Sequence, residues 1–173
     1  TRVTDYQDRG TCIPFGDAAG AVVVGPPDVP GAHRILHSRM HADGRLAKLL
    51  YMPGGGSREP ASAETIANRR HFIKMEGREV FKFAVRALPD AIDRLLQEAG
   101  FTGADVRWLV PHQMNARIMQ AAADRLGIPM ERTLCNIDRY GNTSSASIPL
   151  VLDQYVRDGK VKRGDLLVLA TLG

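Results

Sequence analysis

Between Val106 and Leu172 short apolar runs alternate with helix-periodic stretches, and this alternation constrains the fold more than any other feature. Val106–Val110 reads as a buried strand. Ala116–Leu126 then places Ile118, Met119, Ala122 and Leu126 on one face at helical spacing, with Asn115 able to cap its start and Gly127 and Pro129 ending it. Leu134–Ile137 reads as a further short strand. Ile148–Arg157 reads as a helix with Ile148, Leu152, Tyr155 and Val156 inward and Pro149 in its first turn; Leu166–Leu172 is a final buried strand. Strands that alternate with helices predict an α/β layered domain whose sheet is covered on both faces.

Upstream, Gly77–Gly100 has a continuous apolar face: Val80, Phe81, Ala84, Val85 and Leu88, then Ala91, Ile92, Leu95 and Leu96. Pro89 predicts a kink or a second helix, and Gly100 a left-handed stop. Arg78, Lys82 and Arg86 form a basic stripe, which suits either an acidic partner or an ordinary solvated face. The phrase Gly16-Asp17-Ala18-Ala19-Gly20 precedes a predicted strand, Ala21–Val24, closed by Gly25-Pro26-Pro27. A phosphate-binding loop would follow a strand into a helix, so close packing is the better account of these small residues. His33, His37 and His41 recur every four residues between turn signals at Pro30-Gly31 and Asp43-Gly44, which predict a short strand and turn. Spread along a strand they span roughly 13 Å, too far to hold one metal ion, so no metal is expected. Leu46–Ser62, with its Gly54-Gly55-Gly56 run, reads as a loop.

At 173 residues and 44% hydrophobic content the chain is long enough for a real core. No apolar run approaches the roughly 20 residues that cross a bilayer, so no membrane partner is expected. Two cysteines, Cys12 and Cys135, are too few for a disulfide framework and fit a reducing, cytoplasmic setting. The net charge of +4 is dispersed and lacks the signature of a nucleic-acid module. The chain starts at Thr1 and stops at Gly173 just after an apolar run, which reads as a piece of a longer polypeptide.

Two phrases carry chemistry: Val110-Pro111-His112-Gln113-Met114-Asn115 and Tyr140-Gly141-Asn142-Thr143-Ser144-Ser145-Ala146-Ser147. His112 and Asn142 can each offer an N–H to one oxygen and could jointly hold an enolate or thioester carbonyl. A core histidine and a turn asparagine are the plain alternative.

The two phrases, with Asp8-Arg9-Gly10-Thr11, Phe15–Ala21, His41-Ala42-Asp43-Gly44 and Gly77–Lys82, closely resemble the 3-oxoacyl-acyl-carrier-protein synthase III family along the whole chain. The resemblance implies a thiolase-like fold of five layers, αβαβα, with this chain supplying mainly the C-terminal half. Residues 1–25 would end the N-terminal half, and 26–173 would form the C-terminal half, truncated before its last strand. It implies an acyltransferase of fatty acid biosynthesis that condenses an acyl-CoA starter with malonyl-acyl-carrier protein, without a cofactor, as a cytoplasmic homodimer. His112 and Asn142 match the last two members of a Cys-His-Asn set, and the nucleophilic cysteine would precede Thr1, so the 173 residues alone are expected to be inactive. Cys12 and Cys135 are expected in the core. Arg9, Gly77, Phe81, Asn115 and Ile118 match positions lining the coenzyme A and pantetheine tunnel. Gln113, Met114, Asn115, Ala116 and Arg117 match the carrier-docking segment, and Lys82, Arg117 and Arg125 would face the acidic carrier protein. A related enzyme of polyketide or other secondary metabolism, or a noncatalytic carrier-binding module, are the alternatives.

Overall fold

The computed structural model of the chain describes residues 2–26, 28, 31 and 33–173; Thr1 and the expected turn residues Pro27 and Pro30 lie outside this set. In chain order the elements are α1 (Arg9–Cys12), a 3₁₀ turn (Gly44–Leu49), β1 (Leu50–Tyr51), α2 (Ala63–Ala67), β2 (Lys74–Met75), α3 (Gly77–Ala99), β3 (Trp108–Pro111), α4 (Ala116–Leu126), α5 (Ile137–Tyr140), α6 (Ser147–Arg157) and β4 (Leu167–Ala170). Among the described residues no helix is long and apolar enough to cross a membrane.

The centre of the molecule is a parallel ladder in which β3 pairs with β4, Trp108 against Leu167 through Pro111 against Ala170. Successive side chains of a strand point to opposite faces, and β3 uses both. Leu109 joins Val106 and Val168 with Ala84, Leu88, Ile92 and Leu96 of α3 and Ile118, Ala122 and Ala123 of α4 in one apolar cluster. Trp108 and Val110 face the other way and pack with Leu134 and Val151, the latter from α6. Helices thus cover the ladder on both sides, the expected α/β/α layering.

α3 runs unbroken through Pro89, against the expectation of a kink or a second helix. An interior proline costs about 3 kcal/mol. Leu88 and Ile92, 1% and 2% exposed, flank it, and each such burial contributes about 1.5–3 kcal/mol, enough to offset that cost. Gly100 ends α3 at φ 75°, as its position predicts, and Gly127 ends α4 at φ 63°.

Three predicted strands are absent among the described residues. Leu134–Ile137 forms no ladder: Thr133, just before it, bridges to Leu109, Leu134 N donates to Leu109 O at 2.8 Å, and Ile137 opens α5. Ala21–Val24 has no ladder partner among the described residues, and Val22–Val24 are exposed. His33, His37 and His41 likewise lie in irregular backbone. His37 Nε2 contacts Glu98 at 3.2 Å and His41 Nε2 accepts from Arg39 Nε at 2.8 Å, so neither ring is aimed at a shared ion. On α6 the buried residues are Ser147 and Val151; Val156, expected inward, is 49% exposed.

Candidate active site

His112 follows the carboxyl end of β3, and its own N–H extends the ladder by donating to Ala170 O at 2.7 Å. This is where open α/β sheets present groups to ligands. His112 is 7% exposed. Burial favours the uncharged ring and pushes the His112 pKa below the ordinary histidine value. Its Nδ1 lies 2.5 Å from Ser147 Oγ, at the first position of α6. Among the described residues Nε2 makes no hydrogen bond, so the outer edge of the ring is left for another group.

Gln113 takes the opposite direction. Its side chain is fully buried, with Nε2 donating to Pro111 O at 2.8 Å and Leu134 O at 3.0 Å, while Oε1 accepts from Asn136 N at 3.0 Å. The amide is satisfied at three positions and ties the end of β3 to the segment that leads into α5. It has no surface to offer a docked protein, which corrects its assignment to the docking segment.

The loop carrying Asn142 is held at both ends and in the middle. Gln113 grips Asn136 before it and His112 meets Ser147 after it. Between them Asn142 N donates to Pro14 O and Asn142 O accepts from Gly16 N, each at 2.8 Å. Gly16 permits this approach: a Cβ there would sit 2.3 Å from Tyr140 O. Gly20 packs as tightly on α6, where a Cβ would lie 2.4 Å from Pro149 Cγ. The small residues of the Gly16–Gly20 phrase therefore serve close packing, as the sequence suggests. Within the loop, Asn142 Oδ1 accepts from Ser144 N at 2.9 Å, and Ser144 adopts φ 54°, a left-handed conformation that costs a non-glycine residue energy. Committing Oδ1 to a backbone donor orients the amide and leaves Nδ2 without a hydrogen-bond partner among the described residues.

His112 and Asn142 make no direct hydrogen bond; the braces above place them on neighbouring loops. Neither cysteine belongs to the apolar clusters. Cys12, in α1, and Cys135 are both half-buried free thiols, not the fully buried core residues expected.

The other expected site residues are more scattered. Arg9 is exposed on α1, which contacts β2 just ahead of α3. Gly77 is exposed at the start of α3, and Phe81 is half-buried against the first cluster. Ile118 is 3% exposed within that cluster, so it supports α4 from inside and presents almost no surface to a tunnel. Met114 is half-buried against the same cluster. Asn115 caps α4 by accepting from Arg117 N at 2.9 Å, and Ala116 and Arg117 are exposed. Lys82 bonds Glu79 at 2.7 Å, and Arg125 pairs with Asp90. The Arg117 guanidinium has no acidic partner among the described residues. Ser147 and the Pro14–Gly16 clamp carry no signal in the sequence, because each acts on residues far away in the chain.

A parallel ladder between helical layers, with a histidine past the end of β3 and an asparagine on the adjoining loop, is the thiolase-like α/β arrangement that its structural neighbours share. A family model described as the C-terminal part of 3-oxoacyl-(acyl-carrier-protein) synthase III matches residues 96–173, and one for the synthase itself matches residues 1–44. Similar curated proteins include the beta-ketoacyl-(acyl-carrier-protein) synthases III of Symbiobacterium thermophilum, 48% identical, and Erythrobacter litoralis, 46% identical, each matched over 100% of this chain and 52% of the relative. The crystal structure of 3-oxoacyl-(acyl-carrier-protein) synthase III from Aquifex aeolicus superimposes with a TM-score of 0.82 at 41% identity, covering 99% of this chain and 50% of that one. The chain belongs to the 3-oxoacyl-acyl-carrier-protein synthase III family. It spans about half the length of the curated relatives it matches.

Proposed function

We propose that this chain carries the enolate-holding half of a ketoacyl synthase III active site, in an enzyme that condenses an acyl-CoA starter with malonyl-acyl-carrier protein. The observation that carries the proposal is the pair of nitrogens without a hydrogen-bond partner among the described residues: Asn142 Nδ2, whose Oδ1 is bound to Ser144 N, and His112 Nε2. A cysteine outside these residues would attack the acyl-CoA thioester carbonyl, expel the coenzyme A thiolate and keep the acyl group. The malonyl thioester would then bind with its carbonyl oxygen on the two donors. As the bond to the carboxylate breaks and CO₂ leaves, its electron pair moves to that oxygen. The enolate carbon attacks the acyl-cysteine, forms the new C–C bond and releases the cysteine thiolate. The thioester carbonyl itself accepts the electrons, so the reaction calls for no metal or cofactor. A neutral His112, favoured by burial, suits a donor that must not surrender a full proton.

For the acidic carrier protein, Arg117 is the better anchor than Lys82 or Arg125, whose charges already have acidic neighbours. Tunnel contacts from Arg9, Gly77, Phe81 and Asn115, a homodimeric assembly and a cytoplasmic setting belong to the same proposal.

Asn142→Ala in the full-length protein tests it. Malonyl decarboxylation should fall about 10²- to 10³-fold, the usual loss for one oxyanion donor, while self-acylation by acyl-CoA persists. Unchanged decarboxylation overturns the role.

A further inference from the structure

We infer that Ser147 is a positioning residue that fixes His112 as the Nε2–H tautomer by donating its hydroxyl proton to Nδ1. The protons around Ser147 Oγ admit one fully bonded arrangement. Ser147 is 1% exposed, and among the described residues its Oγ has two partners: His112 Nδ1 at 2.5 Å and Gln113 N at 3.3 Å. Gln113 N can only donate, so it takes one of the hydroxyl's lone pairs. If Nδ1 also donated, Oγ would accept twice and its own proton would have no acceptor in a buried place, at a cost of about 1–3 kcal/mol. With Oγ–H directed at Nδ1, every group in the trio is satisfied. A neutral imidazole that accepts at Nδ1 carries its proton at Nε2, the nitrogen without a partner.

The arrangement also explains how a tautomer is held without a carboxylate. An acidic partner would accept from Nδ1–H and stabilise the imidazolium. A hydroxyl that donates to Nδ1 disfavours a second ring proton and keeps the ring neutral. Ser147 opens α6 directly after the loop that bears Asn142, so one helix start orients the ring while the preceding loop supplies the other donor.

The test reads the tautomer without any substrate. Full-length protein is labelled with ¹⁵N-histidine, and the His112 signals are assigned in long-range ¹H–¹⁵N spectra by their loss in His112→Gln. The expected pattern is a pyridine-like Nδ1 and a protonated, pyrrole-like Nε2. Ser147→Ala should shift the ring toward the Nδ1–H form or a mixture, and Ser147→Thr, which keeps the hydroxyl, should retain the original pattern. A pyrrole-like Nδ1 in the unsubstituted protein overturns the inference, as does an Ala variant with unchanged nitrogens or a Thr variant that shifts like Ala.

The catalytic consequence rests on the proposed function: Ser147→Ala should lower malonyl decarboxylation on the order of 10- to 100-fold, the scale of loss when the partner that orients a metal-bound histidine is removed. A changed tautomer with unchanged decarboxylation would leave Ser147's role standing and remove His112's.

Discussion

Val22–Val24 and Leu109–Val110 are similar in composition and opposite in fate. The valines of the first are 73%, 98% and 78% exposed, whereas Leu109 and Val110 are completely buried. β3 has a parallel neighbour for its backbone and helices against both faces. The Val22–Val24 ribbon runs beside α6, where Ala21, Val22 and Val23 border a shallow cleft with Pro149, Leu152 and Val156, and no strand pairs with it among the described residues. Apolar, β-branched residues prefer a pleated, half-buried surface, but they do not create one. A ladder partner and a covering layer decide which run becomes core.

The widest separation between the two regions should appear on truncation. Leu109→Ala should cost about 2–5 kcal/mol in chemical denaturation. Val23→Ala in the same polypeptide should stay within about 0.5 kcal/mol, as exposed sites do. Equal losses would break the contrast. Gly16→Ala strikes where the N-terminal stretch is joined to the packed body, since the added Cβ meets Tyr140 O at 2.3 Å. A destabilisation of about 1–3 kcal/mol is expected, with changed amide signals at Asn142. An undisturbed Asn142 would show that the clamp does not set its position.

A smaller effect comes from acid. Asp5 is 4% exposed beside Arg69 and Lys74, and these partners, with the backbone N–H of Gln7, hold its pKa down at about 2 against an ordinary 3.8. The folded form thus binds the proton less readily than the unfolded one. Its contribution is present above about pH 3.8 and is lost as pH falls through about 2. Hydrogen exchange over that window should loosen the segment around Asp5 before β3, and Asp5→Asn should flatten the pH dependence.

Much of the body was readable from periodicity. The stretches that became α3, α4 and α6 each carry an apolar face at helical spacing, with Gly100 and Gly127 stopping the first two. Where the reading failed, tertiary contacts had overridden a local signal. Leu134 is buried like a strand residue, yet the chain here meets β3 only through the Thr133 bridge and the Leu134 N–H to Leu109 O, so it was free to turn into α5. Pro89 carries a local stop, but the cluster around Leu88 and Ile92 holds the helix through it. The candidate site divides in the same way. His112 and Asn142 stood out in their phrases, whereas Gln113 looked like their neighbour on a docking surface. Its partners at Leu134 and Asn136 are more than twenty residues away, and no local pattern announces them.

That buried amide has a mechanical consequence. Gln113 follows His112 directly and grips the chain just before the loop of Asn142, so a displacement of one loop is transmitted to the other. The spacing between the two donors is then set by a brace made largely of main chain, not by the soft torsions of the side chains that use it. Gln113→Glu, nearly identical in shape, would replace two donated hydrogen bonds with carboxylate–carbonyl repulsion. The brace would become a wedge, and the two loops that carry the donors would drift apart.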